Sequence, residues 1–248
     1  MNSKLAGQIA YVTGASNGIG KGIALELFKA GATVIVGFNK DEDSALKLVK
    51  YIKAEGGNAL ALGGNLSNDK DIIKIVESIM KSFGKLDILV NNAGISNIGL
   101  FMDLNFNDIE EIINTNLIGP MKLTNKLIPL LLKGKNQSIV NISSIWGNVG
   151  ASCEVTYSTT KGGINLFTKS LAKEVAPWGI RVNCVAPGVI NTSMNEWMEQ
   201  EEKNALNNEI PMSRFGEIYE IGKTVLFLCS KDSSYITGQI ITVDGGML

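Results

Sequence analysis

Residues 8–20 read QIAYVTGASNGIG, a short apolar run that breaks into a glycine-rich turn and continues as a helical pattern. The run Gln8–Thr13 has the length and composition of a buried strand. Glycines at 14, 18 and 20 permit a tight turn and let backbone N–H groups approach a bound phosphate. The helix that follows, from about Gly18 to Ala30, directs its partly positive N-terminal end at the same place. Strand, glycine turn and helix in this order predict the first unit of a parallel α/β sheet with a pyrophosphate cradle at its switch point. The spacing is GxxxGxG, not GxGxxG.

The same alternation continues along the chain. Gly31 ends the first helix, and Thr33–Val36 is the second strand. Helices are expected over Asp41–Glu55 and Asp69–Phe83, with a strand at Ala59–Leu62 between them. Leu86–Val90 is the fourth strand. A long helix then spans about Asp108–Leu132, with kinks expected near Gly119-Pro120 and Pro129. Ser138–Ile142, Arg181–Val185 and Gln239–Val243 are further strands, and Val155–Val175 and Glu217–Leu228 are helices. Strands that alternate with crossover helices give a parallel sheet covered on both faces, within a single doubly wound α/β domain. The polar stretch from Asn191 to Gly216, with Met194, Trp197, Met198 and Met212, lacks a strand signal. It follows the sixth strand, at the ligand-binding end of such sheets, and is expected to form a lid over substrate.

Composition narrows the function. The 248 residues carry a net charge of −1 with no basic stripe, which argues against nucleic-acid and membrane-surface binding. No apolar run reaches membrane-spanning length and the N-terminus has no signal core, so a cytoplasmic protein is expected. Cys153, Cys184 and Cys229 are far apart and read as unpaired thiols in a reducing compartment. The chain contains no histidine. A Ser-His-Asp triad, an imidazole base and a histidine metal site are all excluded, and no metal is expected.

Another route to proton transfer is present. Tyr157 and Lys161 lie four residues apart on one face of a predicted helix, and Ser144 ends the fifth strand thirteen residues before Tyr157. A phenol with a reference pKa near ~10 needs help to exchange protons at neutral pH. At ~4 Å and an effective dielectric of ~20, a lysine ammonium attracts the phenolate by roughly 4 kcal/mol, about 3 pKa units before desolvation is subtracted. Ser144 is placed to donate a hydrogen bond to a substrate oxygen.

These residues, with Asn91-Asn92-Ala93-Gly94, Asn116 and Pro187-Gly188, make the whole chain resemble the short-chain dehydrogenase/reductase family. The resemblance implies a Rossmann fold with a seven-stranded sheet, a homotetramer, and Asn116, Ser144, Tyr157 and Lys161 as the catalytic set. It implies that Asn116 holds a relay water and that Lys161 also binds the nicotinamide ribose. It places Gly14, Ser16, Asn17, Ile19 and Gly20 at the pyrophosphate and Asn65-Leu66 at the adenine. Asn92, Ala93 and Gly94 fall at the ribose, and Pro187, Gly188, Ile190 and Thr192 at the nicotinamide carboxamide. Cofactor choice lies at the end of the second strand. There Asn39 and Lys40 stand with no acid before Asp41, which favours NADP(H) over NAD(H).

Two substrate readings follow. Ile210–Gly216 and Val243–Met247 are similar to the 3-oxoacyl-acyl-carrier-protein reductases, for which Lys133 and Lys135 would meet the acidic carrier; Trp178 replaces a docking arginine of that group. Ser143–Gly147 and Gly150–Val155 instead resemble the reductases of the 5-aminopentanone modification on elongation factor P. In that reading Glu154 pairs with a substrate amine and Trp146 forms a pocket wall; the competing roles are a charge at a helix N-terminus and plain packing. Met194 and Trp197 complete the expected substrate residues. A non-catalytic NAD(P)-sensing protein on the same fold is the third reading.

Overall fold

The computed structural model describes residues 4–192 and 199–248. Seven strands are defined: β1 (Ile9–Val12), β2 (Thr33–Phe38), β3 (Ala59–Gly63), β4 (Ile88–Asn91), β5 (Ser138–Ile142), β6 (Arg181–Pro187) and β7 (Ile240–Val243). They form one all-parallel sheet in the order β3-β2-β1-β4-β5-β6-β7. The order reverses between β1 and β4, the switch point at whose carboxyl side such sheets bind ligands.

Side chains along each strand alternate between two apolar layers. Val12, Val34, Val36, Val90 and Val140 face one layer, completed by α1 (Gly18–Lys29), α2 (Glu42–Ala54) and, later in the chain, the helix Ile218–Cys229. Tyr11, Ile35, Leu89, Ile139 and Val182 face the other, with α3 (Asp69–Phe83) and the helices Gly119–Leu131 and Val155–Val175. Burying one such aliphatic side chain contributes about 1.5–3 kcal/mol, so two full layers leave the sheet little freedom to shift register.

Both ends of α3 carry the chemistry that stops it. Asn68 caps α3, accepting from the N–H groups of Lys70 and Asp71, and Gly84 closes it at φ 67. The long central helix is divided into α4 (Phe106–Ile113), a π-helical turn over Asn114–Ile118, and α5 (Gly119–Leu131). The irregularity expected at Gly119-Pro120 therefore lies just upstream, as a widened turn that contains Asn116. The backbone stays helical through this turn; Pro120 follows it directly, and Pro129 lies inside α5. Gly119 is required for another reason, because a Cβ there would lie 2.6 Å from the Leu66 carbonyl oxygen.

The short helix α6 (Trp146–Val149), not expected from the sequence, precedes α7 (Val155–Val175). The region expected as a lid contains α8 (Gln200–Glu209), followed by α9 (Ile218–Cys229). Met194 and Trp197 lie outside the described residues. Among the described residues no helix is long and apolar enough to cross a membrane.

Candidate active site

The turn after β1 is built by close backbone packing. A Cβ on Gly14 would lie 2.9 Å from Cα of Ala93, and one on Gly20 only 2.2 Å from the Gly14 carbonyl oxygen. Gly14 and Gly18 also have φ of 61 and 51, the left-handed region that favours glycine. Helix α1 starts here with no side-chain cap on its first turn and no acidic residue within it. Its leading N–H groups thus face the turn without a competing carboxylate, which fits a bound pyrophosphate.

The loop after β4 is tied to this turn. The Asn92 side-chain amide donates to the carbonyls of Thr13 (2.9 Å) and Gly14 (3.0 Å). Thr13 Oγ1 accepts from the N–H groups of Asn92 (2.9 Å) and Ala93 (3.0 Å). Asn92 therefore spends its side-chain donors on shaping the cradle. The part played by Thr13 was not read from the sequence, although a hydroxyl at the end of an apolar strand is a usable signal. From the opposite side Thr192 reaches to 3.7 Å of where a Cβ on Gly18 would stand. Gly188 packs equally tightly, since a Cβ on it would lie 2.7 Å from Cβ of Asp244. Pro187 and Ile190 flank that contact, and Ile190 bridges to Gly216. The expected phosphate and nicotinamide segments thus line one crevice.

Towards the adenine side, Asn39 and Lys40 follow β2 and are exposed. Asp41, the first acid beyond them, caps α2 by accepting from the Ser44 N–H at 3.1 Å. Its hydrogen bonds, chiefly with Ser44 and also with the Asn17 side chain, hold its carboxyl below the usual range. Asn65 follows β3, but its amide oxygen is used by the N–H and hydroxyl of Ser67; Leu66 is buried.

Helix α7 and the end of β5 bring the reactive groups together. Ser144 is buried at the carboxyl end of β5, Lys161 is 4% exposed, and Tyr157 is partly buried between them. Lys161 Nζ lies 5.4 Å from the centre of the Tyr157 ring and donates to the Ile142 carbonyl oxygen at 2.9 Å. Gly147 makes this possible: a Cβ there would lie 2.9 Å from Cβ of Lys161.

The electrostatics correct the expectation from spacing alone. Burial pushes the Tyr157 hydroxyl up to about 12; a hydrogen bond with Ser144 opposes that rise, and the charge of Glu154 adds to it. Burial also lowers Lys161 to about 8, and the nearby Cys184 opposes that fall. Loss of hydration dominates, because both groups are removed from water and the ammonium is engaged with a carbonyl. The result is a phenol that keeps its proton at neutral pH, the form needed by a proton donor.

Asn116 reaches the site from the π-helical turn. Its side chain donates to the Ile95 carbonyl (2.8 Å) and accepts from the Ile95 N–H (2.8 Å), with a further bond to Thr160 (3.3 Å). It therefore fixes the loop after β4 on both sides. Residue 96 is held next to it, and the Ser96 hydroxyl donates to Glu154 Oε1 at 2.6 Å. Ser96 carried no signal in the sequence. Glu154 is the N-cap residue of α7, yet its side chain makes no cap hydrogen bond. Trp146, half-buried at the start of α6, donates its backbone N–H to Ser144 Oγ at 3.2 Å.

The lysines expected to meet a carrier lie away from these groups. Lys135 lies at the amino end of the sheet, where its N–H donates to Asp87 and its carbonyl accepts from Gln8. Lys133 lies just before it, between α5 and β5. Within one chain both lysines stand at the opposite end of the strands from Tyr157, because they precede β5 and the reactive groups follow it.

A glycine cradle at the switch point and a Ser-Tyr-Lys set beside it define an NAD(P)-dependent oxidoreductase acting on a CH–OH/C=O group. Residues 14–248 match the family model described as Enoyl-(Acyl carrier protein) reductase. The chain belongs to the short-chain dehydrogenase/reductase family. It is 42% identical over 247 residues to the 3-oxoacyl-(acyl-carrier-protein) reductase FabG of Aquifex aeolicus, covering 100% of both chains. It is 40% identical over 238 residues to the FabG of Staphylococcus aureus, covering 96% of this chain and 97% of that one. A solved dehydrogenase/reductase from Sinorhizobium meliloti 1021 superposes with a TM-score of 0.93 at 31% identity, over 99% of this chain and 97% of that one.

Proposed function

We propose that this chain reduces a ketone to a secondary alcohol with NADPH, and that a 3-oxoacyl group on an acyl carrier protein is the first substrate to test. The observation that carries the reduction is the convergence of Ser144, protonated Tyr157 and Lys161 beside the cradle. The full-length likeness to FabG proteins supports the acyl substrate. Glu154 favours the second reading, an aminoketone on elongation factor P, because a carboxylate near Tyr157 that is in no ion pair among the described residues suits an amine.

When bound, a reduced nicotinamide supplies the hydride. Gly14, Ser16, Asn17, Ile19 and Gly20 hold the pyrophosphate, and Asn65-Leu66 the adenine. Ala93, Gly94 and Lys161 meet the nicotinamide ribose, with Asn92 shaping the turn. Pro187, Gly188, Ile190 and Thr192 position the carboxamide. Ser144 donates a hydrogen bond to the substrate oxygen. Tyr157 would give its proton to that oxygen as the carbonyl is reduced to the alcohol. Lys161 stabilises the phenolate left behind, and a water held by Asn116 returns a proton from solvent. Residues 199–216 of the expected lid border the substrate, with Trp146 in contact with it; the expected contacts Met194 and Trp197 lie outside the described residues. The working unit is a homotetramer.

Lys40 supports NADPH as the cofactor. Among the described residues it is the cation nearest in sequence to the end of β2, and Asp41 is committed to capping α2. Lys40→Ala is expected to raise the KM for NADPH several-fold and leave that for NADH nearly unchanged. Equal changes for both would reject the phosphate role.

The deciding assay follows loss of reduced nicotinamide with NADPH and, separately, NADH, using a β-ketoacyl thioester. Oxidation faster with NADPH supports the acyl reading. Silence towards the thioester, with an aminoketone reduced, favours the second reading. Cofactor binding with no ketone reduced would leave only a sensor.

A further inference from the structure

We infer that Glu154 is a specificity-determining residue whose carboxylate, oriented by Ser96, selects ketones that carry a protonated amine. The inference rests on the carbonyl-reductase reading and chooses among its substrates.

The position of Glu154 is not explained by the helix it begins. A carboxylate at an N-cap ordinarily accepts from the N–H groups of the first turn. Glu154 is the N-cap of α7 and makes no such bond. Its side chain instead receives the Ser96 hydroxyl at 2.6 Å, across 58 residues of sequence. Ser96 is in turn held by its neighbour Ile95, whose N–H and carbonyl are both bound by Asn116. A chain of three residues thus aims one carboxylate oxygen and leaves Oε2 without a partner among the described residues.

Among the described residues no cation pairs with this charge: the ion pairs use other acids, and Glu154 is in none of them. Lys161 is turned to the Ile142 carbonyl. A negative charge that faces Tyr157 also works against the phenolate that proton donation leaves behind. That cost is offset when a substrate ammonium lies beside the carboxylate, since a charge-assisted hydrogen bond is stronger than a neutral one. The same carboxylate disfavours an anionic group in the pocket. The lysines expected to meet an acidic carrier lie at the far end of the sheet, too far within one chain to offset that bias.

The test uses two ketones of nearly equal shape. In meta-(aminomethyl)acetophenone the ring prevents amine and ketone from condensing with each other; meta-ethylacetophenone is its neutral counterpart. The wild-type protein, loaded with NADPH, is expected to favour the amine by about tenfold or more in kcat/KM, the effect of one charge-assisted contact. In Glu154→Gln that ratio should fall towards one, and Ser96→Ala should lower it part of the way. A wild-type ratio near one, or a ratio that Glu154→Gln leaves intact, overturns the assignment and leaves carbonyl reduction standing. Failure of the wild type to reduce either ketone, or any β-ketoacyl thioester, with NADPH bound, would instead refute the reductase reading and this assignment with it.

Discussion

Tyr157→Phe is expected to lower kcat by roughly 10²–10⁴-fold, the range contributed by a positioned general acid. Affinity for the nicotinamide cofactor should stay close to that of the wild type. The hydroxyl is the one group removed, and no hydrogen bond from it shapes the cradle: the turn is held by Thr13 and Asn92. The ring stays in place because α7 is anchored at its far end by Leu171, Ala172 and Val175 in the core. Single-turnover rates and a fluorescence titration of bound NADPH separate the two effects. Turnover within tenfold of the wild type would mean that another group donates the proton. A parallel loss of binding would mean that Tyr157 acts mainly as a wall of the cofactor site.

The second large effect is expected from Gly20→Ala. The added Cβ would stand 2.2 Å from the Gly14 carbonyl oxygen, 2.5 Å from Asn92 Nδ2 and 2.9 Å from Cα of Ala15. Two of these are backbone atoms, and the third belongs to a side chain held by two hydrogen bonds, so none can move aside cheaply. Overpacking of this kind costs about 1–3 kcal/mol or more, which for a domain of this size lowers Tm by about 2–4 °C per kcal/mol. Affinity for NADPH should fall at least about tenfold, since a shift of ~1 Å in the turn misdirects several N–H groups together. Gly162→Ala is the control. Its Cβ would meet no atom closer than the Gly147 carbonyl oxygen at 3.5 Å, and alanine in a helix is worth about 0.5–1 kcal/mol over glycine. A thermal melt and a binding isotherm of both variants suffice. Gly20→Ala protein that melts and binds like the wild type would remove the pyrophosphate from this turn.

The elements that were legible are those with local causes. The boundaries of α3 and α7 coincide with the expected ones, because an apolar 3.6-residue period and terminal residues such as Asn68 and Gly84 act within a few positions. The strand β5 is equally well bounded. The strand β4 is not: Leu86 and Asp87 look like strand but precede the ladder, and polar Asn91 joins it. Asn91 can do so because its amide bonds to Asn141 on β5 and Thr124 on α5, a compensation with no local signature. The four-residue helix α6 is too short for any periodicity to show, and the π-helical turn depends on how α4 and α5 pack.

The order of strands and helices, the glycine cradle and the shared face of Tyr157 and Lys161 were determined by the sequence alone. Each depends on residues a few positions apart, whose geometry follows from backbone sterics and the helical repeat. The tertiary structure decided the direction of the Tyr157 shift, the partner of Glu154 and the end of the sheet on which Lys133 and Lys135 lie. Those depend on burial and on charges brought together from distant segments, since desolvation and through-space fields are set by what packs around a group and not by what precedes it in the chain.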